Sequence, residues 1–193
     1  MLLAPGAGAG ADHPGLLALD RAASARGLAV SRIDFPYRLA GRRRPDPPPV
    51  LLATVRDGAE ALAARLRVTG GQLVLGGRSM GGRICSEAVG AGLPAAGLVL
   101  ISYPLHPPGR PDRPRIAHLP ALSVPCLFVS GTRDAFGSPE ELEAATSGIG
   151  GPVTHAWIPG GDHGLRRRDA DVTAAVVGWL EDRFLTASGP LTR

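Results

Sequence analysis

The chain has 193 residues, enough for one domain with a substantial core, and 44% apolar content without a long polar tract excludes a disordered chain. The net charge of +4 does not make it a nucleic-acid binder: all 21 basic residues are arginine, in a chain with neither lysine nor asparagine, as GC-rich coding produces, and at 4% aromatic content no stacking platform accompanies them. No apolar run reaches membrane-spanning length, Met1-Leu2-Leu3-Ala4 is too short for a signal peptide's apolar segment, and Cys85 and Cys126 sit in core-like settings as free thiols, so a cytoplasmic location without a membrane partner is expected.

Met1 to Ala4 reads as the stub of a buried strand. Pro5-Gly6-Ala7-Gly8-Ala9-Gly10-Ala11 follows as a loop nearly without side chains, able to bring backbone N–H groups close to a ligand. Asp12 or His13 caps a first helix with Pro14 in its first turn; Leu16, Leu17, Leu19 and Ala23 form its apolar stripe and Gly27 ends it. Leu28 to Phe35 is a second strand whose polar positions place it away from the sheet centre. Pro36 to Pro49, with its proline cluster, reads as a loop, and its Arg42-Arg43-Arg44 run, like Arg166-Arg167-Arg168, as solvated surface. Leu51 to Leu66 is an amphipathic helix on the spacing of Leu52, Val55, Ala59, Leu62 and Leu66.

Gln72-Leu73-Val74-Leu75 is a short buried strand leading into Gly77-Arg78-Ser79-Met80-Gly81, and Ile84 to Val89 continues as helix. Gly97 to Ser102 is apolar enough for a strand buried on both faces. Prolines at 104, 107, 108, 111, 114 and 120 forbid regular structure over most of Tyr103 to Pro120, which follows a strand's carboxyl end and so is placed to line a pocket. Pro125 to Ser130 is a strand ending in Gly131-Thr132-Arg133-Asp134. Pro139 to Thr146 is a helix capped by Ser138, with Glu140 and Glu141 in its first turn. Val153 to Ile158, the last strand, runs into Pro159-Gly160-Gly161-Asp162-His163-Gly164. Asp171 to Leu185 is the last helix, with Val172, Ala175, Val176, Trp179 and Leu180 on one face, and 187–193 is a tail. Strand and helix alternate throughout, which specifies a single α/β domain: a mostly parallel sheet of about six strands with helices on both faces and no large cap.

The pattern G-x-S-x-G at Gly77 to Gly81 describes a strand turning sharply into a helix, with one serine held above the sheet and glycines where side chains would clash. Taken alone it is equally a glycine-rich turn whose Ser79 caps the helix. A serine hydroxyl is a poor nucleophile; it needs a base, an orienting carboxylate for that base, and donors for the developing oxyanion. Ser79, Asp134 and His163 supply the first three in the order serine, acid, histidine, each at a strand's carboxyl end. The competing readings are an Asx turn at Asp134 and a surface role for a lone loop histidine. Asp162, the neighbouring acid, reads as loop-shaping. The oxyanion donors expected are the backbone N–H groups of Met80 and of Ala7, with Gly6 or Gly8 as alternatives to Ala7. Arg78 and His106 are candidate substrate contacts, Arg78 either matching a substrate carboxylate or serving as a structural arginine paired with an acid.

On Pro5-Gly6-Ala7-Gly8-Ala9-Gly10, Gly77-Arg78-Ser79-Met80-Gly81-Gly82-Arg83, Gly131-Thr132-Arg133-Asp134 and Gly160-Gly161-Asp162-His163, the chain resembles the small α/β-hydrolases of the dienelactone-hydrolase-like kind. Among these it is most similar to a compact bacterial group related to testis-expressed protein 30 and to a scaffold subunit of a nuclear histone acetyltransferase complex. The resemblance covers nearly the whole chain and implies the α/β-hydrolase fold and a serine hydrolase acting on an ester or similar acyl bond, without a cofactor. Two departures stand out. Dienelactone hydrolase itself carries cysteine as its nucleophile, and Pro5 replaces the histidine that usually precedes the loop glycine. Family members also have two strands before the glycine-rich loop's own, so either the true start lies upstream of Met1, which we favour, or the sheet is trimmed.

The expected function is cleavage of an acyl bond in a small soluble substrate through an acyl-Ser79 intermediate, with no metal and no nucleic-acid partner, by a monomer or homodimer. The alternatives are a catalytically silent interaction scaffold on the same fold, and acyl transfer to an acceptor other than water.

Overall fold

Alternate residues of a strand face opposite ways, and here both ways lead into a core. The strands are β1 (Leu2–Ala4), β2 (Ser31–Arg32), β3 (Val74–Arg78), β4 (Gly97–Ile101), β5 (Cys126–Gly131) and β6 (Val153–Ile158). The helices are α1 (Pro14–Ser24), α2 (Pro36–Leu39), α3 (Pro48–Leu66), α4 (Met80–Gly90), α5 (Pro139–Thr146) and α6 (Asp169–Leu180). They belong to a computed structural model that describes residues 1–185, so the tail expected at 187–193 lies outside the described residues. Leu2, Leu75, Leu98, Leu100 and Phe128 pack with α3 and α4 through Leu51, Val55, Leu62, Ile84 and Ala88. Leu3, Val74, Val99, Leu127 and Val129 pack on the other face with α1 and α6 through Leu16, Leu19, Val172, Val176 and Leu180. Each such side chain contributes about 1.5–3 kcal/mol when fully buried.

All six strands are parallel, in the order β2-β1-β3-β4-β5-β6. Parallel order puts every carboxyl end on one edge of the sheet. The chain leaves β1 towards β2 on one side and β3 towards β4 on the other, so the order reverses between β1 and β3, and a crevice opens there. The loop after β1 and the turn after β3 both meet at this crevice, and the segments after β5 and β6 close its far side.

The expected elements appear with several corrected boundaries. The second strand shrinks from Leu28–Phe35 to Ser31–Arg32 because it is the sheet edge, held only by pairing with β1; short edges resist unwanted association. Pro36 to Pro49 is not all loop. Pro36 opens α2, and Pro48 and Pro49 occupy the first turn of α3, where a missing N–H is no loss. The buried stripe of α3 is Leu51, Val55, Ala59 and Leu62, with Leu66 exposed at its end. The strand expected at Gln72–Leu75 begins with a 3-10 turn at Gly70–Gln72 and instead runs on through Gly76 and Gly77. The last helix starts earlier than expected, at Asp169, and widens into a π turn over Glu181–Leu185 that sets Phe184 edge-on to Trp179 at 5.4 Å. The helix Pro139–Thr146 is as expected, with a capping box between Ser138 and Glu141. No helix among the described residues is long and apolar enough to cross a membrane.

Candidate active site

Ser79 stands between β3 and α4 with φ 49° and ψ −118°, a conformation an L-residue rarely adopts. Its surroundings enforce it. The Ser79 N–H donates to the Ile101 carbonyl of β4 (2.8 Å), and the Ser79 carbonyl accepts from the Arg83 N–H (3.1 Å). The glycines of the motif make room for β1: a Cβ on Gly77 or on Gly81 would lie 2.1 or 2.2 Å from the Ala4 carbonyl oxygen. The hydroxyl does not cap the helix, which removes the plain capping reading. It lies instead 2.8 Å from His163 Nε2.

His163 follows β6 by a short glycine turn, and its Nδ1 sits 3.0 and 2.9 Å from the two carboxylate oxygens of Asp134, which follows β5. A carboxylate only accepts, so Nδ1 carries the proton; in the neutral ring Nε2 is then bare and accepts from the Ser79 hydroxyl. The Asp134 side chain is 1% exposed and that of His163 is 22% exposed, so the pair is shielded on the acid side and open on the serine side. Asp134 also closes an Asx turn, its Oδ1 accepting from the Phe136 N–H at 2.8 Å. The two readings offered for this residue are therefore both realised, by one carboxylate. Phe136 in turn stacks on the imidazole, with ring centroids 3.9 Å apart. Asp162 is exposed in the turn before His163 and is not the histidine's partner.

These groups open into a cavity of about 650 Å³ whose wall includes Gly6, Ala7, Ser79, Met80, Phe136 and His163. Met80 is the first residue of α4, so its N–H has no acceptor within the helix. The glycine-rich loop forms a turn in which the Ala9 N–H donates to the Gly6 carbonyl (3.1 Å). In a trans peptide the N–H points opposite the carbonyl, so this bond turns the Ala7 N–H away from the turn's interior. The Ala7 carbonyl accepts from the Tyr37 hydroxyl at 2.7 Å. Tyr37 is buried, which raises its phenol pKa and keeps the hydroxyl protonated. Its own N–H donates to Asp46 Oδ2 (2.8 Å), whose Oδ1 accepts from Arg42.

Of the two expected substrate contacts, His106 is corrected. It is buried outside the cavity wall, with Nδ1 donating to the Pro107 carbonyl (2.8 Å), Nε2 3.4 Å from Glu141, and its N–H donating to the Phe136 carbonyl (3.0 Å). It ties the proline-rich segment to α5 and to Phe136. Arg78 does line the cavity, but its Nη2 donates to the carbonyls of His163 (3.0 Å) and Gly164, so it braces the histidine loop through carbonyls rather than through the acid expected. His13 caps α1 by accepting from the Gly15 N–H (3.1 Å). Burial pushes both cysteine thiols up to about 12, which makes them inert as nucleophiles. Among the described residues no group of His, Cys, Asp and Glu has the company to hold a metal ion.

The profile of the alpha/beta hydrolase domain matches residues 1–177. The chain belongs to the alpha/beta hydrolase family. Solved structures share its fold at low identity. An alpha-beta serine hydrolase homologue from Coxiella burnetii aligns at TM-score 0.76 and 18% identity, over 93% of this chain and 84% of that one. Dienelactone hydrolase from Anabaena variabilis aligns at TM-score 0.74 and 19% identity, over 96% and 84%. A serine hydrolase without lid from Xanthomonas campestris aligns at TM-score 0.71 and 21% identity, over 97% and 84%. The irregular segment after β4 contributes Pro104 and Arg115 to the cavity wall.

Four residues of the site were not singled out from the sequence. Arg83 was recoverable, because it lies four residues after Ser79 and so one helical turn along the same face. Phe136 had a weaker signal, two residues beyond Asp134, and Tyr37 and Arg115 had none, since their contacts are made across the fold.

Proposed function

We propose that this hydrolase cleaves an ester or similar acyl bond of a small soluble substrate through an acyl-Ser79 intermediate. The observation that carries the reading is the continuous hydrogen-bonded line from Ser79 Oγ through His163 to the Asp134 carboxylate. His163 Nε2 takes the Ser79 proton as Oγ attacks the carbonyl carbon. The oxyanion forms against the N–H groups of Met80 and Ala7, each such donor being worth about 10²–10³ in rate. His163 then gives its proton to the leaving alcohol as the carbon–oxygen bond breaks. In the second half, water loses a proton to His163 and attacks the acyl-enzyme, and the acid leaves as Ser79 is reprotonated. Asp134 keeps the imidazole in the working tautomer and stabilises its charged form. An acceptor alcohol or amine in place of water would give acyl transfer by the same residues; the open cavity, which admits solvent, favours hydrolysis.

A fluorophosphonate probe read by intact mass tests the proposal. One adduct is expected on the wild-type protein and none on Ser79→Ala. A folded wild-type protein without an adduct would overturn the hydrolytic reading in favour of an interaction scaffold.

A further inference from the structure

The cavity beside Ser79 holds more positive charge than acyl-bond cleavage requires. Arg83 lies one turn after Ser79 on α4 and shares the cavity wall with Arg115 of the proline-rich segment. Nη1 of Arg83 donates to Glu87, yet its Nε is buried and has no acceptor among the described residues. Arg115 Nη1 reaches the Pro104 carbonyl at 3.3 Å. Its pKa is lowered first by burial and next by the nearby charge of Arg83. The acid on the cavity wall, Asp46, does not neutralise them, because Oδ1 accepts from Arg42 and Oδ2 from the Tyr37 N–H.

Two guanidinium groups on one cavity wall repel each other, and the single carboxylate beside them, Glu87, which pairs with Arg83, offsets only part of that charge. One bound oxyanion offsets the rest, since the planar guanidinium fork matches carboxylate and phosphate oxygens. Arg115 has no carboxylate partner of its own among the described residues, its guanidinium reaching only the Pro104 carbonyl. Resting on the hydrolase reading above, we propose that Arg83 and Arg115 form an anion subsite and that the substrate is an ester carrying a carboxylate or phosphate group beyond its scissile carbonyl. Residues one turn apart on a helix have Cβ atoms roughly 5–6 Å apart, a span that a half ester of a short dicarboxylic acid covers. The exposed run Arg42-Arg43-Arg44 borders the same mouth through Pro45, Asp46 and Pro48 and steers an anion towards it.

The test compares matched methyl esters in a pH-stat: monomethyl adipate against methyl pentanoate, with methyl 3-phosphonopropionate as the phosphonate arm. The wild-type protein is expected to favour an anionic ester by about 10–100-fold in kcat/KM, as one charge-assisted contact allows, with the preference falling as salt rises. Arg115→Gln is expected to bring the ratio down about tenfold. Arg83→Gln should do the same, and Arg115→Glu should reverse the preference; Arg115 is the safer pair of variants because Arg83 is tied into α4. Whichever anionic ester is preferred identifies the oxyanion. Ser79-dependent turnover with a ratio near one, or a ratio that survives both Arg115 variants, overturns the subsite while leaving the hydrolase intact. No turnover of any ester and no fluorophosphonate adduct overturns both readings together.

Discussion

Replacing Asp134 by asparagine probes the site at a single oxygen. The present carboxylate accepts at Oδ1 from the Phe136 N–H at 2.8 Å and faces His163 Nδ1 at 3.0 and 2.9 Å. An amide has nearly the same shape but one acceptor. The Phe136 N–H can only donate, so the amide oxygen must stay on it, and the amide NH₂ is left facing Nδ1. Two N–H groups cannot meet there, and with Asp134 buried no water comes between them. The imidazole therefore moves its proton to Nε2, where it faces Ser79 Oγ, and the base that should receive the serine proton already holds one. A base locked in the wrong tautomer loses on the order of 10⁴ in kcat, or about 5 kcal/mol of transition-state stabilisation. Because every polar position keeps a partner, the stability change should stay within about 1 kcal/mol. Ester turnover, the rate of fluorophosphonate labelling and the ¹⁵N resonances of the histidine ring measure the three parts of this chain separately. A kcat within tenfold of wild type, or a ring that keeps its proton on Nδ1, would refute the reasoning.

Tyr37→Phe removes the hydroxyl that donates to the Ala7 carbonyl. It should lower kcat roughly tenfold with little change in KM and cost about 1 kcal/mol of stability; a kcat within twofold of wild type would mean that this loop supplies no donor to the reaction. His118 is half-buried with Nε2 2.8 Å from Ser86 Oγ, and burial lowers its pKa below the ordinary 6.5, with Glu87 acting against and Arg83 acting with that shift. The unfolded chain then binds more protons, so this histidine's share of stability is present above pH 6.5 and is lost as pH falls through the folded value. His118→Gln should flatten the acid limb of a urea-denaturation series, and parallel curves for the two proteins would count against the assignment.

What the sequence disclosed depended on how local the cause was. Strands β3, β4 and β5 were legible because a strand covered on both faces must be apolar, and α5 because its capping box lies within a few residues. Ser79, Asp134 and His163 were legible as candidates because each follows a recognisable strand, and the fold brings Ser79 and Asp134 each within hydrogen-bond distance of His163. The proline clusters misled at α2 and α3, since proline stops a helix from within yet starts one comfortably, and sequence alone did not say which side of the boundary each proline was on. Tyr37 was hidden in that same segment. Its role arises from a hydrogen bond to a residue 30 positions away, and nothing near it in the chain foreshadows the contact. His106 shows the converse: a histidine in a pocket-lining segment invited a substrate role, while the fold turns it inwards to Glu141 and the Pro107 carbonyl.

The strain in this structure bears on whether the fold serves as an enzyme or as a surface. Ser79 and Ser102 end adjacent strands, both at φ 49°, one at the nucleophile position and the other where the chain leaves β4 towards Pro104 on the cavity wall. Sparsely populated conformations of this kind cost about 1–3 kcal/mol each. A glycine at position 79 would adopt the same backbone without that cost, and the close approach of Ala4 to Gly77 and Gly81 would be undisturbed. A protein that kept the hydrolase fold only to present its exterior would gain stability from the exchange and lose nothing. The serine is useful solely for its hydroxyl, and the hydroxyl does not serve the helix it precedes; its partner is His163. Ser102 carries the same strain with no partner for its hydroxyl among the described residues, so the contact with a base, not the strain alone, sets Ser79 apart. A scaffold has no use for that contact.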